Sequence, residues 1–482
     1  MNIGKRELTL LCDFYEITMA RGYFHSKIKD QIAYFDVFFR RVPDGGGYAI
    51  FAGLEQIIEY IKALKFSDED IAYLRSKGIF DEEFLSYLRD FRFTGDIWSV
   101  EEGTVIFPNE PIMTVRAPAI EAQFIETFVL LTINHQCLIA TKASRITRAS
   151  GGRAVSEFGA RRAHGPDASI YGTRAAYIGG CSSTSCTIAD KSWGIPAGGT
   201  MAHSWIQMFD SEYEAFEAYC RLYPSSPTLL VDTYDVLKSG IPNAIKAFKS
   251  CLTEEQQKSC AIRIDSGDIT YLTKKVRKML DGAGLTGCKI VVSNSLDEYI
   301  IRDILTQGAC VDAFGVGERL VTARSEPVFG GVYKLVAVER EGKITPKIKI
   351  SENPIKITNP DFKDLYRFYS KESGKAEADL ITIYDEVIDE SAPYELFDPA
   401  HIWKRKLMEN YTLRRLRVKI FDNGKCVYTS PSVDKIREYC QRELSSMWDE
   451  VLRFENPHNY YVDLSARLWD EKHTLLRKKG KI

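Results

Sequence analysis

Several short stretches carry residue types that could do chemistry, and most of them close an apolar run. GIPAGGTMAHSW, residues 194–205, leads two adjacent glycines and a small hydroxyl residue, Thr200, up to one histidine, His203. Pro196 ends any helix before it, and Gly198 with Gly199 lets the backbone bend close to a neighbour or a ligand. EFGARRAHG offers Arg161, Arg162 and His164; VDTYD offers Asp232 and Asp235; IRIDSGD offers Arg263, Asp265 and Asp268. SNSLDE and FGVGERLVT offer amide-rich turns at 293–296 and 315–317, around Ser293, Gly315 and Gly317. Arginines fork onto phosphate or carboxylate, glycine turns present amides to phosphate oxygens, and carboxylates such as Asp232 and Asp265 hold Mg²⁺ or a ribose hydroxyl. Together they suit a phosphorylated sugar, although each alone reads as a salt-bridged face, a turn or a helix cap.

These residues need a scaffold that gathers strand ends. After Gly151 and Gly152 the pattern becomes strand, loop and helix in repetition, with strands expected at RAVSEFG, AYIGGC, IPAGGTMA, PTLLVDTYD, AIRIDSGD, KIVVSNS, CVDAFGVG and GVYKLVAVE. Several are continuous apolar runs, as parallel strands covered on both faces require. The series predicts an α/β architecture, an irregular βα barrel, with its chemistry at the carboxyl ends of the strands. A doubly wound open sheet competes, but no GxGxxG follows the first strand to favour it. Ser211 with Glu214 predicts a capping box that starts the helix SEYEAFEAYCRLYP. Ser295 with Glu298 predicts another, whose acidic residues occupy the positive end of their helix and leave the GVG turn as the better phosphate cradle.

The flanks read differently. Residues 8–24 predict a helix with Leu11, Tyr15, Thr18 and Met19 near one face, ended by Gly22; a strand follows in IAYFDVFFRRVP, and short strands in GDIWSVEEGTVIFPNEPIMTVRAP. Residues 1–118 therefore form an α+β domain. A helix over 119–149, apolar nearly all round in its middle, opens the barrel domain at 119–345 and is expected to be buried. Residues 346–482 return to the N-terminal domain and end in helices near 432–453 and 464–476, followed by a solvated basic tail, LLRKKGKI.

Composition sets the limits. A chain of 482 residues exceeds one ordinary core. Its net charge of -2 provides no field to hold nucleic acid or an anionic membrane, so any anion site must be a local cluster. No stretch approaches the ~18 apolar residues of a membrane span, and the apolar start is broken by Asp13 without a cleavage site. The 11 cysteines lack CxxC pairs and suit reduced thiols in a cytoplasmic protein. Cys181 and Cys186 flank SSTS without histidines at ligand spacing, which argues against a metal there.

LCDFYEITMARGYF, FGARRAHGPDA, AAYIGGC, GIPAGGTMAHSW, LLVDTYD, IRIDSGD, SNSLDEYII, FGVGERLVT and GGVYKLVAV, in this order, resemble nicotinate phosphoribosyltransferase, and KISENPIKITNP and NPHNYYVDLS extend the likeness almost to the C-terminus. The resemblance implies a type II phosphoribosyltransferase fold, an incomplete barrel plus a domain built from both chain ends, working as a homodimer with sites near the subunit interface. It implies conversion of nicotinate and phosphoribosyl pyrophosphate to nicotinate mononucleotide and pyrophosphate, with Mg²⁺, coupled to ATP hydrolysis through a phosphohistidine. The matching positions make His203 the modified residue, place Tyr15, Thr200 and Arg263 around nicotinate, and put Thr322 near the phosphoribosyl substrate. Two departures stand out: GGCSSTSC where the family commonly has GGCDGTSN, and SNSLDE where it has SGDLDE. No GxxxxGK[ST] is present, so ATP rests on the resemblance.

The chemistry agrees. Loss of pyrophosphate from a ribose leaves an oxocarbenium-like centre, so the site must neutralise the leaving group while carboxylates tolerate the positive sugar. The pyridine nitrogen is already a nucleophile and needs only positioning. An enzyme of the same fold acting on nicotinamide or quinolinate is the nearest rival, and a non-catalytic barrel the more distant one.

Overall fold

The computed structural model describes residues 6–480. Contacts divide the chain into two compact units: residues 139–327, and the two flanks up to Leu138 and from Val328 onward.

The inner unit is built on a six-stranded, wholly parallel sheet. Its strands are β1 (Ala154–Glu157), β2 (Ser183–Thr184), β3 (Thr228–Leu230), β4 (Ala261–Ile264), β5 (Lys289–Ser293) and β6 (Ala313–Val316). They lie in the order β2-β1-β6-β5-β4-β3. Helices α1 (Pro166–Ile178), α2 (Thr187–Trp193), α3 (His203–Gln207), α4 (Glu212–Leu222), α5 (Ile241–Cys251), α6 (Ile269–Gly282), α7 (Glu298–Thr306) and α8 (Glu318–Val321) connect or follow the strands. The sheet curls as a half-barrel. Alternate residues of β4 and β5, Ile262, Ile264, Ile290 and Val292, are fully buried. Close packing of helix on strand fixes Gly240, where a Cβ would lie 1.9 Å from the Val231 carbonyl oxygen.

The expected strands at RAVSEFG, PTLLVDTYD, AIRIDSGD, KIVVSNS and CVDAFGVG are present, and three others are not barrel strands. AYIGGC begins inside α1, which Pro166 opens and Gly179 caps; the alanines there favour helix over strand. IPAGGTMA is irregular apart from a single bridge from Ala197 to Thr184, as its proline and glycines dictate. GVYKLVAVE is a strand, Gly331–Arg340, but it pairs antiparallel with Ile32–Phe39 in the flanking unit.

That unit holds a seven-stranded sheet whose centre runs Gly331–Arg340, Ile32–Phe39, Met113–Pro118, Asp96–Val100, Arg417–Asp422, and a four-stranded sheet ordered Tyr411–Arg415, Lys363–Ser370, Ala376–Ile383, Val462–Leu464. Both chain ends thus contribute to one α+β body. Helix Ala119–Phe124 packs on Met113–Pro118 and Ile32–Phe39, so the division falls at 138/139, inside helix Glu126–Ala149, and at 327/328; the sequence alone drew these limits at 118/119 and 345/346. Among the described residues Ala119–Ala149 is long and apolar enough to cross a membrane by length and composition, contrary to expectation, but 67% of its most apolar window is buried within the protein.

The first helix is Phe14–Phe24 rather than 8–24, and it continues through Gly22. Its buried face is Glu16, Ile17, Ala20 and Phe24, whereas Leu11, Tyr15 and Met19 are exposed. The Thr127 amide and hydroxyl both donate to Glu16; burial pushes that carboxyl up to about 7. The last helices are Val433–Ser446, capped by the Ser432 hydroxyl, and Ala466–Gly480. The final two residues of the basic tail lie outside the described residues.

Candidate active site

The strands of the inner unit deliver polar groups at or just past their carboxyl ends. β4 presents Arg263 within the strand and Asp265 after it; the Arg263 guanidinium donates to Asp265 Oδ1 at 3.0 Å, to Ser293 Oγ at 2.9 Å and to Thr200 Oγ1 at 3.2 Å. Ser293, at the end of β5, donates its one hydroxyl hydrogen to Asp265. Ser293 therefore closes a ring of hydrogen bonds that orients both charged groups, and its hydroxyl has no donor left for a ligand. An arginine carries five N–H groups, and these contacts use three, one on each nitrogen. One N–H on each terminal nitrogen remains, which is the fork that grips a carboxylate.

These residues line a cavity of 470 Å³ with Phe158, Arg161, Arg162, Ser185, Asn294, Gly315, Gly317 and Glu318. Arg161 and Arg162 are exposed. Among the described residues neither guanidinium has a hydrogen-bonded or ion-paired partner in the protein. Two unpaired guanidiniums beside Arg263 make the cavity attractive to an anion of more than one charge.

Asp232, just beyond β3, supports the other side. Its Oδ2 accepts from the Asp265 amide at 3.0 Å and from Ser266 at 2.6 Å, while Oδ1 is buried without a hydrogen-bond partner. Asp268, by contrast, caps α6 through the Tyr271 amide, and Asp235 receives the Leu237 and Lys238 amides. Of the four sequence-nominated aspartates, Asp235 and Asp268 therefore cap helical turns. His203 is the first residue of α3, and its Nδ1 lies 3.1 Å from the hydroxyl of Thr233, the neighbour of Asp232.

The surroundings of five expected features differ in detail. Gly315, expected to cradle phosphate, lines the cavity, and its missing side chain also makes room for Phe158: a Cβ would meet that ring at 2.5 Å. Gly315→Ala should displace Phe158 and cost about 1–3 kcal/mol, as overpacking does; urea denaturation checks the value. The helix after SNSLDE is capped by Asp297, which receives the Tyr299 and Ile300 amides, not by Ser295. Ser295 is in the left-handed region (φ 49°), as is Asn294 (φ 99°), so the turn passes beside the cavity before the helix begins. Glu298 does not cap but is buried, accepting from Lys142 and Arg145 at 2.9 Å each. At α4 only half of the expected box forms, the Ser211 hydroxyl accepting from the Glu214 amide. Thr322 ends α8 and donates to the Glu318 carbonyl at 2.7 Å, away from the cavity lining. Tyr15 belongs to the flanking unit, where burial first and then Glu126 push its phenol up.

Phe158 and Glu157 were not singled out in the sequence. The Arg263 guanidinium stands 5.7 Å from the Phe158 ring centroid, a cation–π contact. Beneath the loop, Glu157 is buried and accepts from the Gly159 amide, Thr173 at 3.0 Å and Thr184 at 2.8 Å, and burial pushes its carboxyl up. The only sequence signal was a glutamate directly after an apolar strand.

A curled parallel half-barrel with arginines, carboxylates and glycine turns at its strand ends defines an α/β enzyme fold with a site for a small anionic molecule. Family models give that class its identity. The model described as the nicotinate phosphoribosyltransferase (NAPRTase) family matches residues 153–372, and those for its N-terminal and C-terminal domains match 10–134 and 362–472. Nicotinate phosphoribosyltransferase of Bacillus subtilis is 45% identical over 465 residues, covering 96% of this chain and 94% of the relative. A Mycobacterium tuberculosis nicotinate phosphoribosyltransferase is 39% identical, covering 98% and 94%. The crystal structure of human nicotinic acid phosphoribosyltransferase superimposes with a TM-score of 0.83 at 27% identity, covering 97% of this chain and all of that one. The chain belongs to the nicotinate phosphoribosyltransferase family.

Proposed function

We propose that the protein joins nicotinate to the ribose of phosphoribosyl pyrophosphate, releasing nicotinate mononucleotide and pyrophosphate in NAD biosynthesis, and that ATP hydrolysis through phosphorylated His203 drives this reaction. The observation that carries the reading is the Arg263 fork, held by Thr200, Ser293 and Asp265 with two N–H groups to spare, beside the unpaired Arg161 and Arg162. Arg263 takes the pyridine carboxylate against the Phe158 ring, and the other two arginines take phosphate. Positioning is most of what the pyridine nitrogen needs.

The donor set also fits Mg²⁺. Among the described residues no cluster of three or more His, Cys, Asp or Glu stands ready to enclose a metal, and Mg²⁺ characteristically uses one or two carboxylates with the substrate's phosphates. Asp232 would supply its unpartnered Oδ1 and Asp265 its carboxylate; the ion, when bound, offsets charge on the leaving pyrophosphate. Asp265, held by Arg263 and Ser293, also faces the positive charge that develops on the ribose.

Exposure of Leu11, Phe14, Tyr15 and Met19 on one short segment supports the homodimer reading, in which a second copy covers them. The free cysteines agree with a reducing, cytoplasmic setting.

Pyrophosphate release tests the reading. With phosphoribosyl pyrophosphate present, nicotinate should support release and ATP should raise it. Equal release with nicotinamide or quinolinate would overturn the substrate assignment, and indifference to ATP would overturn the coupling.

A further inference from the structure

At the edge of the half-barrel opposite the site, the amino ends of β4 and β5 bring two cysteines together. Cys260 precedes β4 and Cys288 precedes β5. Ala261 and Lys289 are Cα partners in the parallel pairing, and the Lys289 amide donates to the Cys260 carbonyl at 3.0 Å. One residue back along both strands the two thiols are neighbours on the same face of the sheet. Neighbouring strands run about 4.8 Å apart, which lies within the Cα separations of roughly 4.4–6.8 Å that a disulfide spans. The two residues are buried, at 0% and 1% exposure, so their approach is set by the sheet rather than by mobile side chains.

We propose that Cys260 and Cys288 are a redox modification site, a dithiol that a peroxide converts to a disulfide joining β4 to β5 and that a dithiol reductant restores. The Cys260 sulfur attacks one oxygen of hydrogen peroxide; the O–O bond breaks and, with the thiol proton, the second oxygen leaves as water. Cys260 is then a sulfenic acid. The Cys288 sulfur attacks it, the S–S bond forms, the S–O bond breaks, and the departing hydroxide takes the Cys288 proton as a second water. Two thiols and one peroxide give one disulfide and two waters.

The surroundings assign the order of attack. Cys260 Sγ donates to the Gln257 carbonyl at 3.1 Å and Cys288 Sγ to the Lys289 carbonyl at 3.9 Å. The neighbouring Cys288 thiol, opposed by burial and aided by Arg277, holds the Cys260 thiol below its ordinary range, while Cys288 is pushed up. Arg277 is fixed there by donating to the carbonyls of Cys288 at 2.6 Å and Leu285 at 2.8 Å. Asp312 faces Cys288 and pushes it further up. Cys220 of α4 stands near Cys260 and Cys251; burial first, then those neighbours, push it up to about 12, so it remains a thiol. Cys251, at the end of α5, is only half-buried and is the competing target. Cys260 is thus the attacking sulfur and Cys288 the resolving one.

The full chain, purified reduced, is exposed to hydrogen peroxide, alkylated and mapped by mass spectrometry without reduction. A linked Cys260–Cys288 peptide should appear, the intact chain should lose two hydrogens, and dithiothreitol should reverse both changes. Cys251→Ser should leave the linked peptide unchanged, whereas Cys260→Ser and, separately, Cys288→Ala should abolish it. Recovery of Cys260 and Cys288 as free, alkylated thiols after Cys251 has been oxidised would overturn the proposal. So would a linked peptide found only when circular dichroism shows unfolding, and this readout on the unmutated chain stands even where a variant misfolds.

Discussion

His203→Ala is expected to reduce nicotinate-dependent ATP hydrolysis to the level of a control without enzyme, while the protein stays folded and retains ATP-independent pyrophosphate release. The ring opens α3, at the end of a glycine-rich approach, and Nδ1 is engaged with Thr233 at 3.1 Å. That contact sets the ring plane and leaves Nε2 as the nitrogen for phosphorus, since a neutral imidazole nitrogen is a competent nucleophile. Thr233 is joined through the chain to Asp232, which receives the Asp265 amide, so the histidine is tied to the carboxylate pair by backbone. Thr233→Val should lower hydrolysis more mildly, by roughly fivefold, the worth of about one kcal/mol of hydrogen bond. Both variants are compared by phosphate release and by acid-labile label from γ-labelled ATP. Label that persists on His203→Ala would assign phosphorylation to another residue.

How much of this could be read from residues alone depended on how local the cause was. AIRI and KIVVS are short apolar runs that only a doubly covered parallel strand explains, and the polar residues closing them, Arg263, Asp265 and Ser293, do meet. Partner choice was less legible. GVYKLVAVE has the composition of a barrel strand, yet it pairs with Ile32–Phe39, hundreds of residues earlier, because register and partner are settled by tertiary packing. Ser295 and Asp297 both offer a capping side chain; the left-handed backbone at Asn294 and Ser295 moves the helix start to Asp297. Nothing in the sequence singled out Phe158, because its place against Arg263 depends on the glycine at 315, on a strand not adjacent to it in sequence. For the first helix the buried face was not legible, because a carboxylate is rarely inward and Glu16 is there only because Thr127, over a hundred residues away, satisfies it.

Arg263→Ala should shrink the preference for nicotinate over nicotinamide by roughly tenfold to a hundredfold in kcat/KM, the equivalent of about 1.5–3 kcal/mol for a charge-assisted contact. The two substrates share a ring, so contacts with Phe158 serve both equally, and only the substituent separates them. The salt bridge to Asp265 does not preclude this role. With side chains 15% and 29% exposed, the pair is partly desolvated, and Asp265 spends one oxygen on a single guanidinium nitrogen. The two N–H groups left on the terminal nitrogens can still take a carboxylate in fork geometry, which a neutral amide reciprocates poorly. Removing the guanidinium also leaves Asp265 paired only with Ser293, which should slow both substrates. The discriminating quantity is therefore the ratio, not the absolute rate. Arg263→Lys should recover the charge but not the fork or its hold on Thr200 and Ser293, and should regain only part of the preference. Initial rates with both substrates for the unmutated protein and the two variants check this; an unchanged acid-to-amide ratio in Arg263→Ala would mean that Arg161 or Arg162 reads the carboxylate instead.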